Sequence, residues 1–385
     1  MTPRPASVRG GVEPFHVMEV LKAVAARRLS HDDVVLLCVG QPSTPAPSPV
    51  RAAAEHALGA ETLGYTEAVG TLAFRRAIAG HYREQYGFGV DPDAVVATTG
   101  SSGGFLLTLL AAFDPGDLVA VTRPGYPAYR NDVLAAGCRL LELPCGPETR
   151  YQPTVELMAS LPERPAGLVL ASPANPTGTI IGADELAALT RWCAANDVLL
   201  ISDEIYHGIS FGRPTHSAWE YGRDAVVVGS LSKYQSMTGW RIGWLLLPEP
   251  LRRPVELLQG NLAICAPALS QAAGCAAFGA ETRAELDGHV RRYAANRDIL
   301  LKRLPELGIT SFAPPDGAFY AWCDIGHLTD DSQAWCADVL AATGVALAPG
   351  IDFDPVDGHR FMRLSFCGTS EEITEGIDRL VRYLG

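Results

Sequence analysis

Between about residues 95 and 250 the chain alternates short apolar runs with amphipathic stretches. Asp93–Thr99, Asp117–Arg123, Gly167–Ser172, Val198–Asp203, Ala225–Ser230 and Ile242–Leu247 read as buried strands, because each run is brief and nearly continuous. Ser102–Phe113 follows a Gly/Ser turn and predicts a helix. Ala183–Asn196 predicts another, opening on Asp184 and Glu185, where acidic side chains suit a helix N-terminus. Strands alternating with helices imply an α/β fold with a mostly parallel sheet. Glu281–Leu304 predicts a long helix, with a smaller α+β unit after it. The stretch QPSTPAPSP, Gln41–Pro49, reads as a proline-rich linker ahead of the α/β body.

Composition narrows the class. A chain of 385 residues, 48% hydrophobic and 19% charged, suits a globular protein of two domains. Its longest apolar stretch, Phe105–Phe113, is broken by Thr108 and is far too short to cross a bilayer. Met1–Gly11 carries arginines without an apolar run behind them and does not read as a secretory signal. A net charge of −12 and no basic cluster argue against nucleic-acid or membrane partners. Nine scattered cysteines form no C-x-x-C pair and no metal-ligand spacing with histidine. They read as reduced packing thiols of a cytoplasmic protein, and no metal is expected. The nine histidines are dispersed, and His207 reads as a structural neighbour of the motifs that follow.

Those motifs stand at predicted strand ends, where open α/β sheets bind ligands. Ser230-Leu231-Ser232-Lys233 closes the run Ala225–Gly229. A lysine held there can lose water, lower its pKa and act as a nucleophile toward a carbonyl. Taken alone, the segment fits an ordinary loop lysine equally well. Arg241 follows eight residues later between Gly239 and Gly243, and its planar fork suits a phosphate. Asp203 ends the run Val198–Ile201; it fits either a helix cap or a partner for a protonated ring nitrogen. Tyr206 comes three residues on. Asn175-Pro176-Thr177-Gly178 is a plain turn by itself. Gly100-Ser101-Ser102 between strand and helix offers backbone N–H groups and hydroxyls for an anion. Tyr126, in Pro124-Gly125-Tyr126-Pro127, could stack on an aromatic ring.

Order and spacing bind these segments together. Asn175 precedes Asp203 by 28 residues, Lys233 follows Asp203 by 30, and Arg241 follows Lys233 by eight. In this the chain resembles the class I/II aminotransferases, fold type I enzymes dependent on pyridoxal 5'-phosphate, from Gly40-Gln41-Pro42 to Met362-Arg363-Leu364-Ser365-Phe366. The resemblance implies a large domain, 46–284, whose mostly parallel sheet has helices on both faces, and a smaller α+β domain made of 1–45 with 285–385. It implies that Lys233 carries the cofactor as a Schiff base and moves the proton, and that Asp203 pairs with the ring nitrogen. Asn175 and Tyr206 would contact the ring oxygen, and Tyr126 would stack. Ser101, Ser102, Ser230, Ser232 and Arg241 would bind the phosphate. Arg363 would hold the substrate α-carboxylate, and Gly40 would let backbone approach the substrate. Tyr65 would reach the partner's phosphate, which implies a homodimer.

The implied reaction moves an amino group between an amino acid and a 2-oxo acid in two half-reactions. The same cofactor residues would also serve a C–S lyase, an elimination enzyme or a cyclising synthase. Gln235 departs from the aromatic residue relatives often carry two positions after the lysine, and Phe15-His16 departs from small polar residues. By the same resemblance, Val12–Met18 covers the substrate side chain. It offers Phe15 and Met18 but no cation, and Glu13 would repel a distal carboxylate if it faced inward. The expected specific donor is therefore neutral, with an apolar or aromatic side chain, and glutamate or 2-oxoglutarate stays open as the common partner of the other half-reaction.

Overall fold

The computed structural model describes residues 5–385. Among the described residues there are twelve strands: β1 (Val35–Leu36), β2 (Val95–Thr98), β3 (Leu118–Arg123), β4 (Arg139–Pro144), β5 (Gly167–Ala171), β6 (Leu199–Asp203), β7 (Val226–Ser230), β8 (Gly243–Leu246), β9 (Tyr320–Asp324), β10 (Val345–Ala346), β11 (Ala348–Pro349) and β12 (Phe361–Ser365). Seven form one sheet in the order β2-β8-β7-β6-β5-β3-β4. Its β7-β6-β5-β3-β4 portion is parallel, and β8 runs antiparallel to both of its neighbours.

Alternation along each strand sorts side chains onto two faces. Leu168, Leu170, Leu200 and Val227 pack into one core, with Phe74 and Ile78 of the helix Leu72–Tyr86 and Leu186 and Leu189 of the helix Ala183–Ala195. Val169, Ile201, Val226 and Val228 pack into another, with Phe105 and Leu109 of the helix Gly100–Ala112 and Val255 of the helix Glu249–Leu262. Helices cover both faces, which is why these strands appear in sequence as unbroken apolar runs.

A further core gathers Val35 and Leu37 with Tyr293, Leu300, Phe319, Leu364 and Leu380. Strand β1 pairs in parallel with β10, and β9, β12 and β11 form a three-stranded antiparallel sheet. The N-terminal helix His16–Arg27 is fastened to the same region. The Asp352 carboxylate accepts the backbone N–H groups of His16 and Val17, both at 3.0 Å, capping a helix that has no side-chain cap of its own.

All six expected strands form, within two residues at each end. Strand β4 was not expected. It lies at the sheet edge, half exposed, and Arg139 and Glu142 interrupt its apolar pattern. The expected linker ends early, because Ser48 and Pro49 already belong to the helix Ser48–Ala60, and proline is tolerated in a first turn. No described helix is long and apolar enough to cross a membrane.

Candidate active site

The turns after the C-terminal ends of β2, β3, β5, β6 and β7 meet at a cavity of about 220 Å³. Ser101 and Ser102 come from the first turn of the helix Gly100–Ala112, which starts two residues before the sequence predicts. That shift places both hydroxyls and their N–H groups at the positive end of the helix. Arg241 faces the same turn. Its backbone is left-handed (φ 51°), rare for a residue with a side chain, and its guanidinium lies where a Cβ on Gly100 would come within 2.3 Å. Its Nη1 donates to the Thr238 carbonyl at 3.0 Å and to Ser232 Oγ at 3.4 Å. Of the two flanking glycines, only Gly243 packs tightly; a Cβ there would lie 2.9 Å from Ser101 N, whereas Gly239 is open.

Lys233 points inward from the turn after β7, and its Nζ donates to the Gly40 carbonyl at 2.8 Å. Burial pushes its pKa down to about 8, so an appreciable fraction is neutral near physiological pH. Asp203 closes β6 at another part of the cavity wall. Its Oδ1 accepts the Ile205 N–H at 3.1 Å, and its Oδ2 accepts the Tyr129 hydroxyl. Burial raises its pKa to about 6, opposed by those two hydrogen bonds and by Lys233. A cation placed against it would hold it ionised.

Arg363, on β12, is 2% exposed. Its Nη1 donates to Asn175 Oδ1 at 2.8 Å and its Nη2 to the Cys38 carbonyl, while its Nε has no partner. The guanidinium lies over the rings of Tyr320 (4.3 Å) and Phe353 (4.5 Å). No carboxylate pairs with it among the described residues. A buried guanidinium on a cavity wall with neutral partners and a spare N–H is poised for an anion from outside the chain.

Tyr126, Asn175 and Tyr206 also line the cavity, as expected. The Tyr206 hydroxyl is 2.8 Å from that of Tyr320, which sequence reasoning missed. Tyr320 also explains Gly40, since a Cβ there would lie 1.6 Å from its hydroxyl. No local signal marks Tyr320 within the apolar run of β9. Tyr129 and Asp132 were missed too, although their mutual spacing of three puts them on one face of the helix Pro127–Ala136, directly after Tyr126.

Two predicted residues are not brought into this cavity. Ser230 is buried behind it, its hydroxyl within hydrogen-bond distance of Ser232 Oγ (2.9 Å) and the Ile242 carbonyl (3.2 Å) and accepting the Ser232 N–H (3.1 Å), so it orients Ser232 instead. Tyr65 is 84% exposed and lies elsewhere on the surface. Among the departures, Phe15 enters the cavity wall with Val17, Met18 and Leu21, and His16 does not. Gln235 faces a separate polar pocket with His207. There His207 Nε2 bonds the Ser172 carbonyl at 3.0 Å, which requires a proton on Nε2, and Nδ1 accepts from Tyr86 at 2.5 Å. Burial drives its pKa down to about 3, so it is a neutral structural histidine.

The chain and its fold have counterparts among known proteins. Residues 32–380 match the model of the family "Aminotransferase class I and II". A valine–pyruvate aminotransferase of Mycobacterium tuberculosis is 54% identical over all of this chain and 99% of its own length. The crystal structure of an aminotransferase from the same organism superposes with a TM-score of 0.97 at 53% identity, covering 99% of both chains. Thermus thermophilus aspartate aminotransferase with maleate superposes with a TM-score of 0.93 at 29% identity, covering 99% of this chain and 100% of its own. The strand-end cavity, its lysine, carboxylate and two arginines thus stand on a shared scaffold, and the chain is an aminotransferase belonging to the class I and II family.

Proposed function

We propose that the enzyme uses pyridoxal 5'-phosphate to move an amino group from a neutral, apolar or aromatic amino acid to a 2-oxo acid. The carrying observation is the convergence of one half-buried lysine, one buried carboxylate and one buried arginine without a counter-ion on a single cavity. The residues present fit the cofactor. The Gly100 turn under Arg241 is a cradle that a Cβ would fill, and the hydroxyls of Ser101, Ser102 and Ser232 surround it. These groups would hold the phosphate, Asp203 the ring nitrogen, Asn175 and Tyr206 the ring oxygen, and Tyr126 a ring face.

When bound, the cofactor supplies a carbonyl to receive the amino group and a conjugated ring to accept an electron pair. The chain's part is to bind, orient and move protons. Arg363 grips the α-carboxylate through its free N–H edge and fixes the substrate's direction. Asn175 and the Cys38 carbonyl hold that guanidinium in place. Lys233 Nζ, once neutral, takes the proton from the substrate Cα and returns it to the product side. The Tyr129 hydroxyl steadies the Asp203 carboxylate. Phe15, Val17, Met18 and Leu21 exclude water over the side-chain end.

The valine–pyruvate activity in the name of the Mycobacterium tuberculosis relative agrees with an apolar donor. Exposed Tyr65, outside its own chain's cavity, agrees with a homodimer in which it serves the partner's phosphate site. The separate core joining β1 to the C-terminal strands supports dividing the chain into 46–284 and 1–45 with 285–385.

The chain has three lysines, and Lys22 and Lys302 are exposed. Borohydride reduction of the holoenzyme followed by peptide mapping should therefore place the cofactor on the Lys233 peptide; an adduct on Lys22 or Lys302 breaks the proposal. A single-turnover donor panel in which aspartate exceeds leucine, methionine, phenylalanine and alanine by about tenfold in kcat/KM breaks the substrate assignment. Full activity per chain in a demonstrated monomer breaks the shared-site reading of Tyr65.

A further inference from the structure

We propose that Asp132 is a specificity-determining residue that excludes dicarboxylic substrates from both half-reactions, so that donor and acceptor each carry one carboxylate. This rests on the proposed reading of the cavity and deepens it.

Asp132 lies on the helix Pro127–Ala136, whose Tyr126 N-cap, Ala128 and Tyr129 also line the cavity. Its spacing from Ala128 and Tyr129 is four and three residues, so all three share one helix face. The N-terminal segment is fastened across this helix. Asn131 Nδ2 donates to the Glu13 carbonyl at 3.1 Å, and Phe15 meets the Tyr126 ring edge-on at 5.7 Å. Asp132 thus shares its wall with Phe15, Val17, Met18 and Leu21.

Among the described residues the Asp132 carboxylate has neither an ion-pair partner nor a side-chain hydrogen bond. The cavity's cations are Lys233, Arg241 and Arg363, and each has other partners. Burial alone raises the Asp132 pKa to about 6, with no cation lowering it. The carboxylate is therefore a charge without compensation in an apolar surround. Such a charge discriminates by repulsion: a substrate whose α-carboxylate is seated on Arg363 would bring any distal carboxylate into a cavity that offers it no free cation and, besides Asp203, the like charge of Asp132. The role that Glu13 would have had by sequence falls to Asp132, since Glu13 is exposed and outside the wall. Because both half-reactions use one seat, the exclusion reaches the acceptor as well.

The test compares wild-type holoenzyme with Asp132→Asn and Asp132→Ser. Single-turnover kcat/KM is measured with aspartate, glutamate and valine, and the acidic-to-valine ratio is taken within each preparation, so that the active fraction cancels. The ratio should rise about tenfold or more in both variants, as removal of a like-charge contact predicts. Calorimetric titration with succinate and 3-methylbutanoate should show succinate gaining by a similar factor relative to 3-methylbutanoate. A wild-type enzyme that prefers valine, with ratios unchanged in both variants, overturns the role of Asp132 alone. A wild-type enzyme that takes aspartate as readily as valine overturns the apolar-donor reading and this inference together.

Discussion

Asp203 and Glu204 are chain neighbours at the end of β6, both almost completely buried, yet they belong to different worlds. Asp203 faces the cavity with Lys233, Ser232 and Arg241. Glu204 faces the other way, into a small polar space with His207, Tyr86 and Gln235. Its Oε1 accepts from Ser202 (3.1 Å), Ser217 (3.1 Å) and the Ala218 N–H (2.9 Å). Burial raises Asp203 to about 6 and Glu204 to about 8. The more perturbed carboxylate is thus the structural one. Perturbation marks a functional site only where open space and unlike charges accompany it.

The sharpest way to break this contrast is to neutralise each carboxylate in turn. Asp203→Asn should lower kcat by roughly a thousandfold or more, because an amide cannot hold a ring nitrogen protonated. Glu204→Gln should stay within about threefold, since its partners are hydroxyls and one backbone N–H. Equal losses in steady-state kcat would erase the distinction.

A smaller effect belongs to the arginine opposite. Arg363→Gln removes the charge proposed to seat the α-carboxylate and should cost about a hundredfold in kcat/KM, mainly through KM. A loss confined to kcat would mean that Arg363 does not bind the ground state.

The smallest effect is on stability, and its sign follows from Glu204. Its folded pKa, about 8, lies above its ordinary 4.5. Below 4.5 both states are protonated and the stabilising difference is fully present. Between 4.5 and 8 the unfolded chain gives up a proton that the folded chain keeps, so stability falls as pH rises, by up to about 1.4 kcal/mol per pH unit. Glu204→Gln should flatten the decline of Tm between pH 5 and 8. An unchanged slope in thermal melts would show that Glu204 is ionised in the folded protein.

The buried strands were legible because both faces of the sheet are covered, so Gly167–Ala171 and Val226–Ser230 show no polar alternation to confuse the reading. Strand β4 was not, since an edge strand tolerates Arg139 and Glu142. That Lys233 and Asn175 line the cavity was legible because motif and strand-end position coincide. The placement of Ser230 was not legible, since spacing cannot tell a hydroxyl that faces the cavity from one that turns back to bond its neighbour. Tyr320 and Asp132 were invisible for different reasons. Tyr320 is hidden in an apolar strand, and Asp132 looks like any solvated helix residue until the N-terminal segment covers it.

The seat built around Arg363 has a consequence for the order in which the protein is made. Arg363 donates to the carbonyl of Cys38, 325 residues away, and Asp352 caps a helix 336 residues upstream. During synthesis the strands β2 to β8 leave the ribosome together and contain all of each other's partners, so their sheet can assemble early. The N-terminal segment must meanwhile wait, its apolar face without a home, until the last strands arrive. Contacts of such sequence separation are slow to close. The wall around Arg363 is thus the last part of the cavity to assemble, and the stretch preceding the helix Ser48–Ala60 is the part a nascent-chain chaperone has most reason to hold.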